Sequence, residues 1–228
     1  MNKAEESVAV LFDMDGVLLE SHGYTTKSFD AVLSEYDLSF ESLHDPKGQG
    51  FKGSSLKQFL EAIEEQHGIV IEMDNFTERA DTMAFRMMLE DGIVADPELI
   101  EFLEELTRSG VKIGLGSSST NERIHKILEI LGITTYFTAI VGAYDVTDHK
   151  PSPHVYLETA KRLSVPPAQC VVIEDAAAGV EAGKSAGMKV IGYLKYQDQR
   201  DSLAEADILV NNFSELNTET IQKLILTK

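Results

Sequence analysis

The 228-residue chain has one cysteine, Cys170, so it can close no intrachain disulfide. That is compatible with a reducing compartment. Basic side chains are few: 20 Lys and Arg stand against 38 Asp and Glu, a formal charge of −18. Nonspecific nucleic-acid binding depends on Lys and Arg against phosphate, so this balance argues against it and against adhesion to anionic membranes. A small anionic ligand stays open, because exposed charge is screened beyond about 8 Å at physiological salt. No apolar run is long enough to span a bilayer. The first residues, Met1 to Ser7, are polar and acidic and carry no signal-peptide core. There is no low-complexity stretch and no internal repeat. Together these absences predict a cytoplasmic protein with neither membrane nor nucleic acid as partner.

What is present begins at Val8. Val8 to Phe12 is an unbroken apolar run, as expected of a short strand buried on both faces in a parallel sheet. It ends in Asp13 and Asp15, followed by Gly16. Two carboxylates at the end of a buried strand are costly to desolvate without a cation. The carboxyl ends of strands are also where open α/β sheets bind ligands.

From about Tyr24 to Asp91 the periodicity is helical and no buried strand is evident. Thr25–Tyr36 and Ser55–His67 carry apolar residues at helical spacing, and Gly68 stops the second. Leu43–Gly53 is a loop. Asn75 with Glu78 suggests a capped start for a helix over Phe76–Glu90, in which Met83, Met87 and Met88 line one side. After Asp96-Pro97, an N-cap with a first-turn proline, strands and helices alternate. Strands are expected at Val111–Leu115, Thr138–Val141, Cys170–Ile173, Lys189–Gly192 and Ile208–Val210. Ser119 with Glu122 fits a capping box for the helix that ends near Gly132. The alternation implies right-handed crossovers and a doubly wound α/β sheet. The expected division is a core of residues 1–21 and 93–228, with a helical insertion at 22–92.

Four polar sets then fall at strand ends on one edge of the sheet: Asp13 with Asp15, Ser117–Thr120, Lys150, and Glu174 with Asp175. Oxygen-rich carboxylate sites suit Mg²⁺. A helix N-terminus and a lysine suit a phosphate. Metal, phosphate and a spare carboxylate are the components of phosphoryl transfer.

Phe12-Asp-Met-Asp-Gly-Val17, Ser117, Lys150-Pro-Ser-Pro153 and Ile173-Glu-Asp-Ala-Ala-Ala-Gly179 resemble, in order, the four motifs of the haloacid dehalogenase superfamily. The insertion resembles the α-helical cap of its phosphatase and β-phosphoglucomutase branch. The resemblance implies a Rossmann-like core and a mobile cap. It implies that Asp13 is the nucleophile and Asp15 the proton donor and acceptor. Mg²⁺ would sit on Asp13, the Asp15 carbonyl and Asp175, with Glu174 near or in its shell. Ser117 would bind a phosphoryl oxygen and Lys150 would neutralise developing charge. Ser118, Asn121 and Lys52 are further candidates for binding substrate. The second aspartate favours a phosphate ester over an alkyl halide, which has no leaving alcohol to protonate. Mutases of the family carry an arginine shortly after the loop resembling Lys52-Gly53; Ser54 to Gln58 contains none, and their cap-hinge histidine is unmatched near Tyr24 and Thr25. A phosphatase acting on a small phosphorylated metabolite, such as a sugar phosphate, is therefore expected ahead of a phosphosugar mutase. A non-catalytic binding protein on the same fold is the third reading.

Overall fold

The computed structural model describes residues 7–40, 43, 56–195 and 199–227. The chain divides into two compact units, Met1–Glu20 with Val94–Lys228, and Ser21–Ile93.

In the larger unit, β1 (Ala9–Phe12), β2 (Lys112–Gly116), β3 (Ala139–Val141), β4 (Cys170–Glu174), β5 (Lys189–Tyr193) and β6 (Ile208–Val210) form one parallel sheet in the order β3-β2-β1-β4-β5-β6. All four residues of β1 are buried, as a central strand covered on both faces requires. Ala9 and Leu11 join a core shared with Tyr156, Leu163, Cys170, Val172 and Val180. Phe12 faces the other way, with ring contacts to Phe102, Phe137 and Phe213 at centroid distances of 6.2, 5.9 and 6.3 Å. Helices α4 (Pro97–Arg108), α5 (Asn121–Leu131), α6 (His154–Leu163), α7 (Ala177–Ser185) and α8 (Thr218–Leu226) link and cover the strands. Helix α4 starts as read from the sequence: Asp96 accepts from the Glu98 amide and Pro97 occupies the first turn.

Strand order reverses direction at β1, which has β2 on one side and β4 on the other. Such a switch point opens a crevice beyond the carboxyl ends of the two strands. Phe12 pairs with Ile173 in the β1–β4 register, so the next residues, Asp13 and Glu174, emerge side by side there.

The smaller unit holds helices α1 (His22–Leu33), α2 (Leu56–His67) and α3 (Met73–Glu90). Its core comprises Val32, Leu33, Leu43, Phe59, Ile63 and Phe76, with Phe29 and Phe76 edge to face at 4.9 Å. Two expectations are corrected here. Helix α3 begins at Met73 after Glu72, three residues before Phe76, so Asn75 lies inside the helix and caps nothing. The apolar side of that helix is Phe76, Ala80, Ala84 and Met88, at strict four-residue spacing, whereas Met83 and Met87 are only half-buried. Lys52 and the rest of the loop from 44 to 55 lie outside the described residues. No helix of the described residues is long and apolar enough to cross a membrane.

Candidate active site

The site is built where β1 and β4 end. The Asp13 amide still donates to the Ile173 carbonyl at 3.0 Å, which extends the ladder one step and fixes the Asp13 backbone. Its carboxylate is buried. Lys150 crosses from the loop before α6 and places Nζ 2.5 Å from Asp13 Oδ1 and 2.6 Å from Glu174 Oε1. Asp175 follows Glu174, and oxygens of Asp13, Glu174 and Asp175 lie within 4.8 Å of one another.

Glu174 is fully engaged. Oε1 accepts from Lys150 Nζ and from the Tyr156 hydroxyl, each at 2.6 Å. Oε2 accepts from the amides of Asp175 and Ala176 at 3.1 and 3.3 Å. A carboxylate offers about four accepting positions, and four donors fill them. Glu174 therefore anchors Lys150 and closes the β4–α7 turn. Lys150 also lies 4.9 Å from the Tyr156 ring centre. Tyr156 escaped the sequence reading. A tyrosine on the inner face of a helix six residues after the motif lysine was the available signal, since a buried hydroxyl needs a partner.

Two glycines make room for the acids. A Cβ on Gly16 would stand 1.8 Å from Asp175 Oδ2, and Gly16 has φ +85°, a left-handed conformation that glycine adopts without strain. A Cβ on Gly179 would stand 1.7 Å from Glu174 Oε1.

One ammonium thus serves several carboxylates. Burial pulls Lys150 down, but the Asp13 and Glu174 carboxylates outweigh it and hold the lysine protonated above its ordinary range. The shortfall of positive charge appears on the acids. Burial pushes Asp13 well above 3.8, opposed by Lys150 and reinforced by Glu174 and Asp15. Burial, aided by Glu174, pushes Asp175 up to about 7. Acids held this far up are those that a divalent cation would stabilise in ionised form. Hard, close-set oxygen donors with too little local positive charge fit a metal such as Mg²⁺.

Helix α5 brings in the second polar set. The Ser117 amide donates to the Val141 carbonyl, and Ser117 Oγ, buried, accepts from the Ser119 amide at 3.1 Å. The expected capping box is corrected: Thr120 is the N-cap and accepts from the Arg123 amide at 3.2 Å. Ser119 Oγ is instead 2.9 Å from Asp15 Oδ2, and an Arg123 nitrogen is 3.9 Å from Asp15 Oδ1. Ser118 is exposed. Asn121 turns toward Asp145, donating to its Oδ2 at 2.9 Å, with Oδ1 against Gly142. Asp13, Lys150, Glu174 and Asp175 are thereby joined in one cluster, Ser117 is linked through Ser119 to Asp15, and Asn121 reaches the turn at 143–145 through Nδ2. Cys170 is inert: it is buried, and burial pushes its thiol up to about 12.

The sequence pattern described as haloacid dehalogenase-like hydrolase matches residues 10–193. The chain belongs to the haloacid dehalogenase-like hydrolase family. It is 32% identical over 222 residues to the β-phosphoglucomutase of Bacillus subtilis, covering 94% of each chain. It is 32% identical over 188 residues to a fructose-1-phosphate phosphatase of Escherichia coli, covering 82% of this chain and 96% of that one. A bifunctional riboflavin kinase/FMN phosphatase of Arabidopsis thaliana is 31% identical over 214 residues, 93% of this chain, and this chain spans 55% of that longer protein. The crystal structure of β-phosphoglucomutase from Clostridium difficile superposes with a TM-score of 0.76 at 27% identity, covering 96% of this chain and 97% of that one. Membership of this hydrolase family and the Rossmann-like α/β fold agree with the motifs at the strand ends.

Proposed function

We propose that this haloacid dehalogenase-like hydrolase is a Mg²⁺-dependent phosphatase acting on a small phosphorylated metabolite, a sugar phosphate by first preference. The observation that carries the proposal is the Asp13–Lys150–Glu174–Asp175 cluster, its first and third members buried, at the β1/β4 switch point. Asp13, the Asp15 main-chain carbonyl and Asp175 would hold the metal, with Glu174 alongside. When bound, Mg²⁺ offsets repulsion between carboxylate and phosphate and favours the charge that builds on the phosphoryl oxygens.

The chain's own groups divide the remaining work. An Asp13 oxygen forms the new bond to phosphorus as the ester P–O bond breaks, giving an aspartyl-phosphate. Asp15 delivers a proton to the departing alkoxide. Water then attacks the aspartyl-phosphate, Asp15 takes its proton, and phosphate leaves with Asp13 restored. Lys150 neutralises charge on the phosphoryl oxygens in this proposal, a role supported by its position between Asp13 and Glu174. Ser117, with Ser118 and the undescribed Lys52, supplies polar contacts to the substrate in this proposal. A cytoplasmic location belongs to the same reading, and the single cysteine is compatible with it.

The test is release of phosphate from p-nitrophenyl phosphate and a panel of sugar phosphates, with Mg²⁺ and with a chelator. Metal-dependent release is expected; none on any ester would refute the enzyme. The similarity to two β-phosphoglucomutases supports a mutase as second reading. β-Glucose 1-phosphate with a trace of the bisphosphate separates the two. Glucose 6-phosphate forming faster than free phosphate would make the mutase the correct one.

A further inference from the structure

The proton carrier is tied to the phosphate-binding serine through a single residue. Ser117 Oγ accepts from the Ser119 amide, and Ser119 Oγ in turn donates to Asp15 Oδ2, 104 positions away in sequence. On the other carboxylate oxygen, Oδ1, stands the Arg123 guanidinium at 3.9 Å. Arg123 is itself well fixed. Its side chain is 12% exposed, and its amide closes the N-cap on Thr120. Asp15, by contrast, has a side chain 37% exposed. A half-exposed aspartate has a broad second torsion, so nothing intrinsic holds its carboxyl plane in one direction. The Ser119 hydroxyl meets one of its oxygens and the Arg123 guanidinium stands by the other.

We infer that Ser119 and Arg123 are positioning residues that hold the Asp15 carboxyl in line for proton transfer, and that they couple this alignment to the Ser117 phosphate grip. The inference rests on the proposal that Asp15 moves the proton. The Arg123–Asp15 pair is too long and too close to solvent to matter much for folding, since such pairs contribute about 0–1 kcal/mol. Its effect falls on orientation, where small misplacements of a reacting group cost large factors in rate. The motif pattern rests on Ser117 in this segment; Arg123, at the third position of α5, enters through its nearness to Asp15.

The dependence of kcat/KM on the leaving group tests this. Nitrophenolate departs without a proton, whereas a sugar or glycerol alkoxide needs one, and kcat/KM reports the bond-breaking step alone. Arg123→Gln, Arg123→Lys, Ser119→Ala and Asp15→Asn are each assayed on a graded series from p-nitrophenyl phosphate to alkyl phosphates. For Arg123→Gln and Ser119→Ala, the loss on alkyl esters is expected to exceed the loss on p-nitrophenyl phosphate by about 10- to 100-fold, a part of the 10²–10⁴ that a positioned acid supplies. Arg123→Lys should recover part of it. A loss equal across the series, which a merely structural role would give, overturns the inference, as does no loss. If Asp15→Asn itself loses activity evenly, the proton role falls and this inference with it. If Asp15→Asn is selective while Ser119→Ala and Arg123→Gln are even, only this inference falls. Should Arg123→Gln fail to fold, Ser119→Ala decides the outcome alone.

Discussion

Gly179→Ala adds one methyl group on α7 and should be among the most damaging small changes in the molecule. On helix propensity alone, alanine should stabilise α7 by about 1 kcal/mol. The structure predicts the opposite sign, because the new Cβ would fall 1.7 Å from Glu174 Oε1. The carboxylate must move, and Oε1 is the atom that accepts from both Lys150 and Tyr156. Hydrogen bonds to charged groups contribute about 1.5–3 kcal/mol each, so losing two costs roughly 3–6 kcal/mol. Set against the helix gain, the net loss is about 2–5 kcal/mol. For a domain of this size that lowers the melting temperature by roughly 5–15 °C. Turnover should fall as well, since Lys150 loses one of its two anchors. Thermal and urea unfolding of Gly179→Ala, Tyr156→Phe and the double variant measure it. The two changes strike the same oxygen, so Tyr156→Phe should cost less in the Gly179→Ala background than in the wild type. A Gly179→Ala protein as stable and as active as the wild type would refute the placement of Glu174 and the anchoring role derived from it.

Asp13→Asn should abolish phosphate release on every ester while leaving the circular dichroism spectrum unchanged. It removes a buried charge, so its melting temperature should not fall; retained turnover would exclude Asp13 as nucleophile. Gly16→Ala forces a left-handed conformation on a residue with a Cβ, at about 1–2 kcal/mol, and drives that Cβ into Asp175. Mg²⁺ affinity measured by calorimetry should drop at least tenfold, and unchanged affinity would remove Asp175 from the metal site. Asp175 is raised from 3.8 to about 7 in the metal-free fold, so between those values the folded state binds more protons than the unfolded chain. Stability of the metal-free protein should therefore decline as pH rises through that window. Mg²⁺ requires the ionised carboxylate, so the rise in melting temperature on adding it should be larger at pH 8 than at pH 5; an equal rise at both would refute the assignment.

The strands were legible because a strand covered on both faces must be apolar along its length, as β1 and residues 170–173 of β4 are. Their polar ends were legible for the complementary reason: a carboxylate has no place in such a run unless it ends it. Helix starts were less so. Ser119 and Glu122 mimic a capping box, but the hydroxyl goes to a carboxylate that arrives from β1, and Thr120 takes the cap. Local pattern could not foresee that competition, because the competing acceptor is supplied by the fold. The contacts of Gly179, the last residue of the fourth motif, and of Tyr156 with Glu174 were hidden on the same ground. Each acts on Glu174 across α7 or α6, and neither contact has a signature in neighbouring residues. The bond from Asn121 to Asp145 likewise joins residues 24 positions apart and has no local signature.

The position of β1 also has a consequence for synthesis. Of the six strands it is made before the others, and it lies inside the sheet, between β2 and β4. Phe12 meets Leu115 on one side and Ile173 on the other. At about 5–20 residues per second, the β4 partner is made roughly 10–30 s after β1. Both edges of this apolar strand wait until β2 is made and one edge waits until β4 is, and the cost of closing so long a loop has to be met before the β4 contacts repay it. The candidate site is completed late, because Asp13 has no Lys150 until the chain has passed residue 150 and neither Glu174 nor Asp175 until it has passed residue 175.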